Sequence, residues 1–221
     1  YISHELRTPL TLIMGSLEPL RKLGDGLGEA AQERLDTLQR HSLRLHRLVN
    51  QLMDFRRLEE GVLELQPVYL ELGEFLQRAV AEFEGIAAER SLDFSLHLTA
   101  EAIGVEADPE KLEQVFFNLL SNATKYTPAG GEIRLQLQEK VVDGQEVACL
   151  EFWNDGPGMD SESLAQVVRP FFRGATEPRQ TGTGIGLAFT RALVDLHGGA
   201  IHLRSGEGAG VSVEVCLPMA G

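Results

Sequence analysis

The chain has 221 residues, enough for one large domain or a small element joined to a mid-sized one, and its 43% hydrophobic and 24% charged residues suit a globular protein with a buried core. With 33 acidic against 20 basic residues the formal net charge is −13, which argues against a nucleic-acid binder, since such a protein presents a basic face. The basic cluster Arg40, Arg44, Arg47, Arg56 and Arg57 lies in a segment also rich in Leu and Glu, and reads as a solvated helix face.

No stretch approaches the ~18 consecutive apolar residues of a membrane span, and these residues are not expected to include a signal peptide. The first residues already read as helix interior, so the chain is expected to be cut from a longer protein. Any membrane attachment would then come through segments before Tyr1. Cys149 and Cys216 sit in separate strand-like runs without a CxxC pair, and are expected to be small core residues of a reduced, cytosolic protein.

From Tyr1 to about Glu60 the spacing is helical. Ile2, Leu6, Leu10, Ile13, Leu17 and Leu20 step by four, four, three, four and three; Leu35, Leu38, Leu45, Val49 and Leu52 continue a similar stripe. Gly24-Asp25-Gly26-Leu27-Gly28 breaks the pattern and makes a turn between them. The result is an antiparallel helical hairpin over residues 1–63, with one apolar seam per helix. A second copy would complete it as a dimeric four-helix bundle; the alternative is that the hairpin packs on the rest of its own chain.

Within residues 64–221 the period changes to two. Leu92, Phe94, Leu96 and Leu98 alternate with polar residues, as do Ile133, Leu135 and Leu137, and Val211, Val213, Val215 and Leu217. These predict strands with one wet and one buried face. Asp143-Gly144 reads as a hairpin turn. Helices are expected at about Leu72–Glu89, Pro109–Tyr126 and Gly186–His197, the second opened by Asp108 as N-cap and Pro109 in the first helical position. One sheet covered by three helices is a two-layer α/β sandwich. The stretch from Gly156 to Gly184 has little periodicity, and a loop of that length is a functional lid or a linker.

Four strings carry chemistry. Ser3-His4-Glu5-Leu6-Arg7-Thr8-Pro9-Leu10 places His4 beside the apolar stripe, where it can face solvent. An imidazole with a pKa near 6.5 is largely neutral at pH 7 and nucleophilic. Glu5 can orient the ring or take its proton, and Pro9 bends the helix next to it. In Asn118-Leu119-Leu120-Ser121-Asn122-Ala123-Thr124-Lys125-Tyr126, the residues Asn118, Asn122 and Lys125 share one helix face. Two amides and an ammonium there suit a phosphate-bound magnesium ion, although amphipathic helices often show polar residues at such spacing. Asn154-Asp155-Gly156-Pro157-Gly158-Met159 follows a strand. Asp155 can accept from an adenine amino group while Gly156 and Gly158 let the backbone approach the base, or the segment is a plain turn. Gly182-Thr183-Gly184-Ile185-Gly186-Leu187 opens a helix and offers its amides to a triphosphate. It meets neither the dinucleotide fingerprint nor the P-loop pattern.

In this order and spacing the motifs resemble those of sensor histidine kinases: a dimerisation and phosphoacceptor hairpin followed by a Bergerat-type ATP-binding domain, over essentially the whole chain. The resemblance implies autophosphorylation of His4 from ATP with Mg2+, then transfer to an aspartate of a response-regulator receiver domain, from a homodimer in a cytoplasmic setting. It implies that Asn122 ligates Mg2+ and Lys125 contacts phosphate, with Asn118, Tyr126, Asp155 and the glycine strings around the nucleotide. Arg169-Pro170-Phe171-Phe172-Arg173-Gly174 resembles the F-box of a kinase lid, from which Arg173 could reach phosphate; Phe171 and Phe172 anchor the lid or simply cover core. Val168 and Arg169 depart from the Phe and acidic residue usual there. Thr8 holds the position tied to phosphatase activity in the large class this start resembles. The hydrolytic ATPases on the same fold carry a general-base Glu four residues before the magnesium Asn. Here that position is Asn118, so water is poorly activated and the kinase reading is favoured. A scaffold that had lost catalysis would be expected to lack His4, Asn122, Asp155 or the lid glycines, and all are present.

Overall fold

Two units divide the chain, Tyr1–Leu63 and Glu64–Gly221. The structure, a computed structural model, describes residues 49–99, 103–170, 172 and 184–220, together with Ile13, Leu35, Leu38 and Ser42. In the first unit residues 49–59 are helical. The turn at Gly24–Gly28 and the string around His4 lie outside the described residues.

In the second unit the elements run β1 (Val68–Glu71), α1 (Leu72–Glu89), β2 (Asp93–Leu98), β3 (Gly104–Ala107), α2 (Pro109–Tyr126), β4 (Glu132–Val142), β5 (Gln145–Asn154), α3 (Ser161–Gln166), α4 (Gly186–Leu196), β6 (Ala200–Ser205) and β7 (Val211–Pro218). Five strands form one sheet in the order β2-β4-β5-β7-β6, with β2 parallel to β4 and the other pairs antiparallel. The period-two apolar residues supply the inner face. Ile133, Leu135 and Leu137 of β4 and Val213, Val215 and Leu217 of β7 are buried, beneath a layer formed by α1, α2 and α4. Phe116 of α2 is the hub of that layer, its ring 5.4 Å from Phe75 of α1 and 5.8 Å from Phe152 of β5.

Local chemistry explains the ends of these elements. Asp108 caps α2, its Oδ1 accepting from the amides of Glu110 and Lys111, and Pro109 follows where no donor is needed. At the start of α1 the Glu71 carboxylate accepts from the amides of Gly73, Glu74 and Ile103. Burial alone would raise its pKa, and the three amides together hold it below the usual carboxylate range. Asp143 and Gly144, with φ of 52° and 81°, close the β4–β5 hairpin in the left-handed conformation their residue types favour.

The structure departs from the expectation of one sheet in three places. β1 and β3 pair with each other as a separate two-stranded sheet. A short helix, α3, interrupts the long aperiodic stretch, capped by Asp160. The alternating polar residues of β7 are not wet: Ser212, Glu214 and Cys216 are buried along with the apolar set. β7 is a central strand, so neighbouring side chains roof it. Lys140 pairs with Glu214, Arg204 stands 3.7 Å from the same carboxylate, and the Ser212 hydroxyl donates to Glu151.

The cysteines also differ from expectation. Cys149 and Cys216 are opposed residues of β5 and β7 and form a disulfide, so they are not free core thiols. The periodicity placed each in a strand but could not show that the strands are neighbours in this register. The bond closes a loop of 67 residues in sequence separation. Removing such a link costs about 2–4 kcal/mol, largely through the unfolded state. A strong reductant should therefore lower the thermal midpoint of the parent chain and leave a Cys149→Ser variant unmoved. Two titratable thiols in the native chain, with no reductant effect, would restore the reduced reading.

Candidate functional site

α2 carries the polar face foreseen in its sequence. Its apolar side is wholly buried through Leu112, Val115, Phe116, Leu119 and Leu120, leaving Asn118, Asn122 and Lys125 partly exposed on the other side. The end of the helix is held from outside: Arg90, just beyond α1, donates to the carbonyl oxygens of Thr124 and, at 2.8 Å, Thr127. These carbonyls would otherwise lack intrahelical partners. Tyr126 is exposed beside Lys125, whose Nζ lies 3.1 Å from the Tyr126 hydroxyl and 4.6 Å from the ring centre.

The segment after β5 meets this end of α2. A side chain at Gly156 would stand 2.9 Å from the Tyr126 carbonyl oxygen and 2.7 Å from Asn154 Nδ2, so the backbone approach requires glycine. Gly158 has φ of 75°, and a Cβ there would collide with the Gly206 carbonyl. The turn is pinned to the β6–β7 connection: the Met159 amide donates to Ser205 Oγ at 2.9 Å, and the Gly208 amide to the Pro157 carbonyl at 2.8 Å. A glycine-rich segment tied down this firmly is a shaped surface.

Strand parity decides which side chain lies beneath this surface. Ala148, Leu150 and Phe152 point into the layer between sheet and helices, and Asn154 is the next residue in phase. It is only 6% exposed, and its Nδ2 has no hydrogen-bond partner among the described residues. A buried amide donor without a partner calls for a ligand or water. Asp155, expected as the base acceptor, follows the last residue of β5; its side chain is exposed and stands over Gly131 next to Thr127, at the end of α2. The signal for Asn154 was its phase with Phe152. Cys149 and Trp153, apolar on the opposite face, obscured it.

α4 supplies the third side. Gly184, with φ of 71°, leads into Ile185 and the helix start at Gly186, where no side chain caps the first turn and no acidic residue lies. Its amides and the helix dipole thus favour an anion. Asn118 Nδ2 lies 3.4 Å from both the Gly186 carbonyl oxygen and Thr190 Oγ1, which brings α2 against the start of α4. Leu187 is half-buried. Within this unit the structure therefore gathers Asn118, Asn122, Lys125, Tyr126, Gly156, Gly158, Gly184, Ile185, Gly186 and Leu187 around neighbouring ends of α2, β5 and α4. Gly182, Thr183 and Arg173 lie outside the described residues, as do His4, Glu5 and Thr8. Of the pair Phe171 and Phe172 only Phe172 is described; it is half-buried, its amide 3.3 Å from the Arg169 carbonyl.

Two family models match the chain: the His Kinase A (phospho-acceptor) domain over residues 1–61, and the histidine kinase-, DNA gyrase B-, and HSP90-like ATPase over residues 107–221. The chain belongs to the sensor histidine kinase family. It carries a phospho-acceptor domain and a histidine-kinase-type ATPase domain. Among curated relatives, the sensor histidine kinase TmoS of Ectopseudomonas mendocina is 33% identical over 220 residues, 99% of this chain and 22% of TmoS. The chain thus spans about a fifth of that relative. Among solved structures, full-length ShkA in complex with AMPPNP matches 99% of this chain and 45% of its own, with a TM-score of 0.76 and 25% identity. The Acinetobacter baumannii histidine kinase AdeS matches 99% of this chain and 98% of its own, at a TM-score of 0.63 and 25% identity. The ATPase-domain match supports ATP use. Among the described residues, no helix is long and apolar enough to cross a membrane.

Proposed function

We propose that the chain binds Mg-ATP between α2, the turn after β5 and the start of α4, and transfers the γ-phosphoryl group to His4. The observation that carries this reading is the convergence just described: the Asn122 and Lys125 face, a buried unpartnered Asn154 amide and an uncapped helix start lie around one end of the helix layer. The Asn154 amide takes the base, in place of Asp155. Lys125 and the amides at the start of α4 face the phosphates, and Gly182, Thr183 and Arg173 are assigned to them by the resemblance to histidine kinases alone. Asn122, a neutral oxygen donor on the same face, fits a magnesium ion that keeps most of its waters; when bound, the ion neutralises phosphate charge. Asn118 supports transfer over hydrolysis. An amide there cannot act as a base toward water, and its Nδ2 is directed to α4.

The His4 imidazole nitrogen attacks phosphorus in line as the bond to the leaving ADP oxygen breaks, and Glu5 orients the ring or accepts its proton. The phosphohistidine then serves an aspartate on a response-regulator receiver domain. The working form is a homodimer through the helical hairpin of residues 1–63. Ile13, Leu38 and Leu52, all on the expected seam, are 51%, 54% and 41% exposed in the single chain, as an uncovered interface requires. Residues 1–221 are read as the cytoplasmic portion of a longer kinase, whose membrane attachment would lie in preceding segments. ATP labelled at the γ position tests the reading directly: label stable to base and released by acid must accumulate on the chain. Its absence in a chain that binds nucleotide would leave only a binding scaffold.

Thr8 is proposed to hold a water beside the phosphoryl group during regulator dephosphorylation, since its spacing of four from His4 is one turn of the helix that the sequence predicts there. Thr8→Ala should keep His4 labelling within about twofold while slowing regulator dephosphorylation by about tenfold or more. Equal loss of both activities, assayed side by side, would leave Thr8 only a structural role before Pro9.

A further inference from the structure

The segment His197-Gly198-Gly199 closes α4, and its glycines are explained by the backbone. Gly198 has φ of 70°, and a Cβ at Gly199 would stand 2.4 Å from the Cys216 carbonyl oxygen. The histidine is not explained by that turn. Its Nε2 lies 3.1 Å from the backbone nitrogen of Asp108, and its Nδ1 lies 2.7 Å from the Leu193 carbonyl oxygen. An amide can only donate, so Nε2 must accept; the proton sits on Nδ1 and is given to Leu193. The neutral ring thus ties the N-cap of α2 to the last turn of α4. Asp108 is a well-secured anchor: its Oδ1 caps α2, and its Oδ2 accepts from the Gln66 amide at 3.0 Å.

We propose that His197 is a positioning residue for the nucleotide, acting by clasping α2 and α4 at the end remote from the site. The pairings make the two helices antiparallel: the start of α2 meets the end of α4 at His197, and Asn118 meets the start of α4. From Asp108 to Asn122 is about 20 Å along α2, and from His197 back to Gly186 about 16 Å along α4. A tilt of about 5° at the clasp therefore moves Asn122 by nearly 2 Å against the amides of Gly186. Displacements of that size undo preorganised binding. A second polar link between the helices, Asn118 to Gly186 and Thr190, is long at 3.4 Å and weak. The apolar layer between them, with Leu119, Phe189 and Leu193 buried, opposes separation but sets the angle less sharply than a directed hydrogen bond.

This rests on the nucleotide site proposed above, and the experiment separates the two. In the full chain, His197→Phe keeps a ring and loses both hydrogen bonds; His197→Gln keeps an oxygen able to accept from Asp108. Affinity for the non-hydrolysable analogue AMPPNP with Mg2+, the nucleotide-free thermal midpoint, and KM and kcat of autophosphorylation are measured for each. The Phe variant should unfold cooperatively within about 5 °C of the parent, and bind the analogue about three- to tenfold more weakly. Its KM should rise in step while kcat at saturating ATP stays within about twofold, and Gln should recover most of the affinity. Unchanged affinity in the Phe variant overturns the proposal. So does a loss that Gln fails to recover and that follows the midpoint, because a merely structural role predicts it. A parent chain that binds no analogue refutes the site itself.

Discussion

His4→Gln abolishes labelling of the chain by γ-labelled ATP while nucleotide affinity stays within about twofold of the parent. Glutamine approximates the size and polarity of imidazole, but its amide nitrogen has its lone pair delocalised into the carbonyl and does not attack phosphorus. Phosphoryl transfer to a protein asks little of the enzyme beyond alignment and charge neutralisation, so removing the nucleophile leaves nothing to align. The groups assigned to the nucleotide all lie on α2, on the turn after β5 and from the lid to the start of α4, in the unit Glu64–Gly221, whereas position 4 belongs to Tyr1–Leu63. Affinity is thus expected to survive. The check is paired: base-stable, acid-labile label on the parent and variant, and calorimetric titration with AMPPNP and Mg2+. If the variant is labelled at the parent's rate, the acceptor is another residue.

What could be read from sequence divides along physical lines. Helices α1 and α2 were legible end to end because a 3.6-residue apolar stripe coincides with a cap: Asp108 and Pro109 mark the start of α2 as clearly in sequence as in structure. Strands β2, β4 and β7 were legible because one apolar face alternates. Alternation reports which residues share a face, not which strands are neighbours. The pairing of β1 with β3, the burial of Glu214 beneath Lys140 and Arg204, and the Cys149–Cys216 bond were therefore hidden, since each depends on a long-range register. The same limit acted at the site. Motif spacing placed Asn118, Asn122 and the glycines on neighbouring elements, but it could not show that Asn154, next to Asp155, is buried with an unpartnered amide. In sequence His197 marks only the expected end of a helix, because its partner Asp108 lies 89 residues away.

Asn154→Leu should weaken Mg-AMPPNP binding about ten- to a hundredfold, whereas Asp155→Asn should change it by no more than about threefold. Leucine keeps the number and branching of asparagine's side-chain heavy atoms, so the 6% exposed site is not emptied, and a cooperative thermal transition checks that its bulkier methyls are accommodated. What disappears is an amide that offers one acceptor and two donors, the pattern with which asparagine meets the amino and ring nitrogens of adenine. Losing hydrogen bonds to a base held away from water costs on the order of 1.5–3 kcal/mol, because the base's own polar edge is then left unpaired. Asp155 starts from a different position. Its carboxylate is exposed over Gly131, and its amide is already used by the Glu132 carbonyl at 3.1 Å, so exchanging oxygen for nitrogen in its side chain removes no contact in the layer beneath. Asn154→Asp supplies the third arm: it keeps an acceptor for the adenine amino group and loses the donor, so its affinity should lie between the parent and the leucine variant. The order is what matters. If Asp155→Asn proves the more damaging, the strand-end carboxylate reads the base after all, and the unpartnered Asn154 amide serves a buried water instead.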